Sequence, residues 1–514
     1  MSTNNLSIVQ RPVDSTVKTP AITNWTPMLG YMIYKDQVID TFFYYKIGLD
    51  VFLGSDATGT QIAALRQRRN GYNPDIVSGK ARAFFDIKEI VNSQLVNTYY
   101  DQNLTGIPFS SLHSLGANAY DDGSGTVQYK IYSVSGDRRT FQRQIDEIYV
   151  RAIDCYSTNQ AAAVTCYTPT TAVEDSAYYM QASLHLFHPR AVTATDNDVG
   201  YTMGIAFQDY SLNSSTSLFL SDNPRVPASS YGSTTEDKPI NLVYWDDDTD
   251  TGDYHTIAFL NSEAVFDSGL KKIRIRYYTG ANAALTTTDI ENIDNNGGFD
   301  PSTTGATATN DRKLLYFGCG PGNLQGYDNG GTNNQRPSSA TNNTWTHYTI
   351  QGLDSSGNAV SQKILFIKQD PSCKGYPKRR LAWRNSLGCY DYFNFKLKST
   401  QTTSIKRNKF GQMLGTFDAS RFYYASWQRG DAVRQTTATL KETLNTDYIT
   451  EEQGTLIERL LMSTDVFIIE NSDTRYTQSV VVTDSSFVKN TVANAKLIQY
   501  TITIEYANPL NTNS

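Results

Sequence analysis

The chain predicts a mainly β fold: several antiparallel, β-sandwich-like domains with about two short helices, the C-terminal domain being α+β. Three observations predict it. Apolar and polar residues alternate through most of the packed stretches, the period of a strand with one buried face. Gly, Asn, Ser and Thr gather between those stretches, where turns need them. Only two segments combine helical spacing with a capping signal at their start. At 514 residues the chain is long enough for roughly three domains, each with its own core.

Residues 1–40 read as a polar N-terminal arm with two Pro-containing stretches, RPV and KTPAITNWTP. Such arms are disordered or order only against a neighbouring subunit. Residues 41–160 form a β-rich domain with one short helix. Its first strand is FYYKIGLDVFL, where Phe43, Tyr45, Ile47, Leu49 and Val51 alternate with Tyr44, Lys46, Gly48 and Asp50. In FFDIKEIVNSQLV, Asp86 can cap a helix whose Glu89 reaches back to it. Ile87, Ile90, Val91 and Leu95 then share a face. VQYKIYSV and QIDEIYVRAIDCY continue the domain as strands.

Residues 161–372 read as a β-sandwich domain with strands YYMQASLHLF, GYTMGIAF, SLFLS, YHTIAFLN and KKIRIRYY, and a hairpin turning at Asp354 to Asn358. Its loops DNNGGFDPSTTGATATN and QGYDNGGTNNQRPSSATNN are too polar to pack. Residues 373–514 form the C-terminal domain. Strand YFNFKLKS puts Phe393, Phe395 and Leu397 on one face. Thr450 and Gln453 make a capping box for a helix over 451–463, with Leu456, Ile457, Leu460 and Leu461 inward. VFIIE, QSVVVT and LIQYTITIEY follow as strands, the last alternating Ile498, Tyr500, Ile502, Ile504 and Tyr506 with polar residues.

Composition narrows the function. Charged residues are 19% of the chain, Tyr numbers 34, and the formal net charge is −6, so there is no global basic field for a specific nucleic-acid partner. MSTNNLSIVQRPVDSTVKTP has no apolar core of signal-peptide length, and no run approaches the ~20 apolar residues that span a bilayer. Folding in a cytoplasm, without membrane insertion, is the expectation. Cysteines 155, 166, 319, 373 and 389 include no CxxC and are odd in number. Buried free thiols are therefore favoured over a Cys155–Cys166 pair.

The motifs that suggest chemistry fail on their surroundings. LLYFGCGPGNL, residues 314–324, resembles the first motif of S-adenosylmethionine-dependent methyltransferases. Yet the acidic position of that motif holds Tyr316, and LQGYDNGGTNNQRPSSATNN cannot supply the helix whose N-terminus would receive the ligand. The glycines read instead as a strand end turning into a loop. In WDDDTDTGDYH, Asp246, Asp248 and Asp250 have the first spacings of a calcium loop, but Thr251 stands where it needs Gly and Ile257 where it needs Glu. The Asp246–Asp253 stretch reads as a solvated acidic turn. His185 and His188 point to opposite faces of a strand, and no nucleophile elbow, HExxH or phosphate loop occurs. The expectation is no enzyme, no cofactor and no resident metal.

One cluster, CKGYPKRRLAWR, holds Lys374, Lys378, Arg379, Arg380 and Arg384 beside two aromatics. A polyanion contact is one reading; a solvated strand face or ion pairs at a subunit interface is the favoured one. Directly after it, LAWRNSLGCYDYFNF reads as a structural corner. Asn385 bonds backbone, Gly388 takes positive φ, Asp391 closes the turn by accepting its N–H groups, and Phe393 resumes a strand.

This Asn-x-x-Gly-x-x-Asp-x-Phe corner resembles one in virion structural proteins of tailed phages infecting Bacteroidetes, including crAss-like phages. RQRRNGYNPDIVSGKARAFFDIKEIV, FLSDNPR, LLYFGCGPGNL, LNTDYITEEQGTLIERLLMSTDVFI and VVVTDSSFVKNTVANAKLIQYTITIEYAN are similar to further blocks in the same order. Cys389 departs from the family's usual small residue such as Gly, and a thiol fits there. The resemblance implies a non-enzymatic virion component of the tail or baseplate, assembled in the bacterial host cytoplasm. Its partners would be other virion proteins and further copies of itself, as a homo-oligomer or ring. A receptor-binding protein contacting host surface glycans, a head–tail connector ring and, less favoured, a polysaccharide depolymerase are the alternatives.

Overall fold

A computed structural model describes residues 6–11, 21–22, 30–35, 43–68, 81–95, 145–180, 210–226, 238–261, 270–291, 314–324, 344–369, 375–469, 477–484 and 498–508, apart from single positions within these ranges, with a few isolated residues and short pairs besides. They group into two units: Met1–Gln369 with Arg384–Asp391, and Asp370–Trp383 with Tyr392–Ser514. Both are mainly β, in mostly antiparallel sheets. His113, His185, His188, Lys374, Cys373 and the two long polar loops lie outside the described residues.

The first unit holds two apolar cores. One lies between a three-stranded sheet, Leu6–Gln10, Gly30–Lys35 and Ala81–Asp86, and a larger sheet centred on Phe43–Leu53 and Ile145–Ser157. Strand Phe43–Leu53 forms where the alternation places it, with Tyr45, Ile47, Leu49 and Val51 buried. Gly48, Asp50 and Phe52 on its other face are buried too, because the strand is central, paired on both sides.

Part of the expected arm is not an arm. Gly30–Lys35 pairs with Leu6–Gln10 on one side and with Ala81–Asp86 on the other, and Tyr31 and Ile33 are wholly buried. The reason is electrostatic as well as apolar. Lys35 sits inside the core with its Nζ 2.5 Å from Asp154 Oδ2, while the Tyr45 hydroxyl donates to the same carboxylate. Tyr31 donates to Asp175 at 3.0 Å.

Two other expectations change here. Cys155 and Cys166 form a disulfide rather than free thiols. Strand Thr165–Tyr167 folds back on Ile145–Ser157 and sets the two cysteines directly opposite each other, a register that spacing alone does not disclose. Cys319 and Cys389 are buried free thiols. The helix at Lys88–Gln94 exists, but its N-cap is Ile87, without a side-chain cap; Asp86 accepts the Lys88 N–H, and no capping box forms.

The second core of this unit lies between a four-stranded sheet containing Thr256–Asn261 and Leu314–Gly318 and a seven-stranded sheet containing Lys238–Asp246, Ile364–Gln369, His347–Leu353 and Lys272–Tyr278. Lys238–Asp246 and Ile364–Gln369 run parallel, a departure from the antiparallel rule. The hairpin turn forms as read: Asp354 Oδ1 accepts the Asn358 N–H and Oδ2 its side-chain amide. SLFLS is not a strand. Leu218, Phe219 and Leu220 are buried in an irregular segment whose polar backbone is satisfied by Ala258, Gln362 and Asn385.

In the second unit a seven-stranded antiparallel sheet runs Tyr390–Phe395, Arg379–Arg384, Val466–Ile469, Thr477–Val482, Thr501–Tyr506, Asp431–Asn445, Thr400–Gly411. Helix Glu451–Met462 covers it, with Leu456, Ile457 and Leu460 in the core and the Thr450–Gln453 capping box in place. Ile498, Tyr500, Ile502 and Ile504 alternate into the same core. Phe393 and Phe395 join it, but their strand ends at Phe395, and its Tyr392 and Asn394 are buried as well.

Lys35 provides a direct check on the N-terminal strands. Lys35→Met leaves Asp154 as a buried charge without its cation, which costs about 3–5 kcal/mol. Thermal unfolding should show a drop of several degrees, whereas a variant of a detached arm would melt like the parent.

Candidate functional site

Among the described residues, most of the exposed large apolar side chains belong to the hairpin Thr400–Asn445. Its two long strands, Thr400–Gly411 and Asp431–Asn445, pair along their whole length with one bulge at Asn408 and Lys409. Thr501–Tyr506 supports only Lys441–Asn445. From Thr403 and Leu440 outward, the two strands are each other's only ladder partners among the described residues. Nine residues of such a ribbon extend ~30 Å. Almost every residue of its first strand is exposed.

The tip is built, not merely left over. Thr416–Asp418 and Arg421–Tyr423 pair as a small hairpin, with Phe417 opposite Phe422 and their rings 5.0 Å apart. Gln428 Oε1 accepts the N–H groups of both Gly415 and Ala425, and Gln412 donates to the Arg429 carbonyl at 2.7 Å. These bonds hold Met413, Phe417, Tyr424 and Trp427 outward, at 71%, 73%, 69% and 79% exposure. Leu414, Phe422, Tyr423, Ile405, Phe410 and Val433 are exposed as well. Lys406, Arg407, Lys409, Arg421, Arg429 and Arg434 are interleaved with them.

A buried carboxylate anchors the ribbon's root. Glu442 accepts from Arg379 Nε at 3.0 Å, from the Tyr506 hydroxyl at 2.7 Å and from the Gln401 amide at 3.3 Å. Burial alone would raise its pKa, but the hydrogen bonds from Tyr506 and Arg379 outweigh it and hold the carboxyl below its usual range.

This settles where the basic cluster goes. Arg379 is spent on Glu442. Arg380 is buried, donating to Asn394 Oδ1 at 2.9 Å with its guanidinium over the Tyr392 ring. Arg384 is buried and Lys378 is half-buried. Among the described residues of CKGYPKRRLAWR, Arg379 and Arg380 thus have internal partners, Arg384 is buried and Lys378 stays partly exposed.

The corner is structural, with different bonds from those expected. Asn385 Oδ1 accepts the N–H groups of Leu387 and Cys389, and Gly388 adopts φ +82°. Asp391 meets this turn through the Asn385 side chain and also reaches the segment FLSDNPR, accepting from the Ser221 hydroxyl at 2.6 Å and the Asp222 N–H at 2.8 Å. Asp222 reciprocates, accepting from the Ser386 N–H at 2.7 Å and from its hydroxyl at 2.5 Å. Burial first, and the Asp222 charge second, push the Asp391 carboxyl up to about 7. Cys389 faces the Tyr316 hydroxyl at 3.8 Å, and burial raises its thiol to about 12, so it is an inert packing group. Three of the blocks that carry the phage resemblance thus meet at one place. Phe393 lies outside it, in the second unit's core.

The two rejected ligand motifs turn out to pack on each other. A single helical turn, Pro321–Leu324, does follow the Gly-rich strand, which the loop expectation missed. Its approach is to protein backbone: Cys319 and Gly320 donate to the His255 carbonyl, Gly322 to that of Asp253, and Asn323 Oδ1 accepts from His255. A Cβ on Gly320 or Gly322 would overlap the chain at 252–255. The glycines admit a neighbouring strand end where a cofactor would otherwise lie. Asp246 is likewise engaged internally, its Oδ1 accepting the Asp248 N–H, which lowers its pKa. Among the described residues no three His, Cys, Asp or Glu side chains gather as a metal site, and no helix is long and apolar enough to cross a membrane.

The ribbon escapes periodicity analysis because both its faces are wet, so apolar and polar residues do not alternate. The signal present is compositional: five aromatics, Phe417, Phe422, Tyr423, Tyr424 and Trp427, within eleven residues bounded by Gly415 and Gly430.

No family model matches the chain, and no curated protein does. Among solved structures, a mutant of Salmonella alpha-2-macroglobulin is similar at 7% identity and a TM-score of 0.14, over 96% of this chain and 29% of that one. A likeness that low carries no argument.

The corner makes a pH prediction. Asp391 has a folded pKa near 7 and an unfolded value of about 3.9, so the native state binds the extra proton between them. Its contribution is fully present below the unfolded value and is lost as pH rises through 7. Chemical denaturation at pH 5, 6 and 7.5 should show that contribution declining, and Asp391→Asn should remove that part of the slope.

Proposed function

We propose that the chain is a non-enzymatic structural component of a phage virion, in the tail or baseplate, working through contacts between subunits. The observation that carries the subunit-contact half is the ribbon Thr400–Asn445. A two-stranded hairpin is marginal in water by itself, and one that displays Met413, Phe417, Tyr424 and Trp427 on its tip has the surface of an interface, where large aromatics and Arg supply contact area. The virion half rests on the resemblance of the corner and its companion blocks. Supporting it, FLSDNPR, LLYFGCGPGNL and the corner converge in space at Asp391, Asp222 and Tyr316, so these blocks make sense as one packing unit.

The exposed Tyr424 and Trp427 rings favour one competing reading, contact with host surface glycans. That reading predicts polysaccharide binding by the isolated chain, abolished in Trp427→Ser.

The test of the virion role is location. Antibodies raised against the purified chain, applied as immunogold to particles from cells carrying the gene, should label tails. Particles that lack the chain, by labelling and by mass spectrometry, would overturn the proposal.

A further inference from the structure

Resting on the assembly reading above, we infer that the ribbon's occupant is a second copy of this chain: the basic, aromatic tip of one copy seats on the acidic body of the next.

Charge separation within the chain points there. Residues 400–445 carry seven basic and three acidic side chains, whereas the remainder carries 38 basic and 48 acidic. The ribbon is a cationic projection from a protein whose other residues sum to a net negative charge. Long-range attraction between the arm of one copy and the body of another is thus built into the sequence, and it acts on encounter and orientation.

The arm's chemistry fits a protein surface. Trp427, Tyr424, Tyr423 and Arg421 are of the residue types that dominate interface energetics, and they are accompanied by exposed Met413, Leu414, Phe417 and Phe422. Aromatic rings among basic residues also suit single-stranded nucleic acid. The aliphatic members add nothing to base stacking, however, and the acidic remainder would repel phosphate. Protein is the better match.

Ribbon and remainder differ in net charge, so the arm of one copy and the surface it occupies on the next are different patches. Such a contact is either returned across a two-fold axis, each arm on the other's body, or passed on from copy to copy into a ring or filament.

A copy without the tip can receive an arm but offers none, and this is the test. In one variant residues 413–429 are replaced by an Asn-Gly turn, which suits a two-residue hairpin loop. It has no tip but keeps the acidic body. The purified full chain and the variant are compared by light scattering over a concentration series at low salt, with thermal melting as the folding control. The wild-type chain should form multimers and the variant remain monomeric. Variant added in excess should shorten the wild-type multimers, because it occupies arms without offering one. Arg407→Glu with Arg434→Glu, which leaves the tip in place, should weaken association roughly tenfold. If the shortened variant melts abnormally, Trp427→Ser with Tyr424→Ser serves in its place.

Three results overturn the inference: a wild-type chain that stays monomeric throughout; a variant that assembles as well as wild type; or tip-dependent binding of a labelled single-stranded oligonucleotide without self-association. Tail labelling together with a monomeric chain would leave the virion role standing and assign the arm to another virion protein. Absence from particles together with tip-dependent multimers would do the reverse.

Discussion

A two-stranded ribbon cannot hold its own shape in water, and that constraint organises the second unit. Beyond Leu440 neither outer edge of the hairpin has a ladder partner among the described residues, and both faces are wet. What keeps it directed is its root. Glu442 lies where the ribbon meets the sheet and gathers Arg379, Gln401 and Tyr506, one from a distant strand, one from the facing strand and one from the strand that supports it. A buried carboxylate with three donors is fully satisfied, and the charge is compensated by a guanidinium. The sheet and helix Glu451–Met462 provide the rigid body; Glu442 couples the ribbon to it. At the far end Gln428 and Gln412 perform the same service for the tip without any apolar core.

The first unit solves a different problem, that of holding irregular chain inside a protein. The segment 217–223 and the corner Arg384–Asp391 both bury backbone that no strand ladder satisfies. Each supplies the other's missing partners: Asp391 binds the N–H of Asp222, Asp222 binds that of Ser386, and Asn385 donates to the Leu220 carbonyl. The arrangement holds two carboxylates close together, and the cost shows in the raised pKa of Asp391. Where ladders fail, side-chain carboxylates and amides take over the backbone's hydrogen bonds. The Gly-rich turn at Gly320–Asn323 against Asp253 and His255 is the same device carried out with backbone and one amide.

How much of this was legible in the sequence follows from which forces are local. Strand Phe43–Leu53 and the alternation ending in Thr501–Tyr506 were legible, because in each an apolar face alternates with a more polar one and the period of two records it. The Thr450–Gln453 capping box was legible because both partners lie within four residues. Asn385 and Gly388 were recognisable as a turn for the same reason. The rest depended on partners far along the chain. Asp391 looked like the turn's own cap, yet two of its donors are about 170 residues away, at Ser221 and Asp222. Lys35 looked like part of a solvated arm until Asp154 was placed beside it. Arg379 and Arg380 looked like a surface cluster because charge in sequence says nothing of a buried Glu442 or Asn394.

The ribbon was illegible for an opposite reason: outward of Leu440 it has no ladder partner but its own two strands among the described residues. Secondary-structure patterns record burial within one molecule. A strand pair exposed on both faces has no buried side to record, so its aromatic and basic residues show no one-sided period. Thr400–Gly411 shows this, with Ile405, Lys406, Arg407, Lys409 and Phe410 following no single face. Read in that way, the failure of periodicity in an ordered, well-paired hairpin is itself informative. Such a segment is stable enough to be built, as the Gln428 and Glu442 contacts attest, and too apolar to be meant for water. The same reasoning separates it from the loops DNNGGFDPSTTGATATN and QGYDNGGTNNQRPSSATNN, whose Gly, Asn, Ser and Thr content gives them no apolar surface to cover. This hairpin thus obeys hydrogen-bonding rules while leaving large apolar side chains in water.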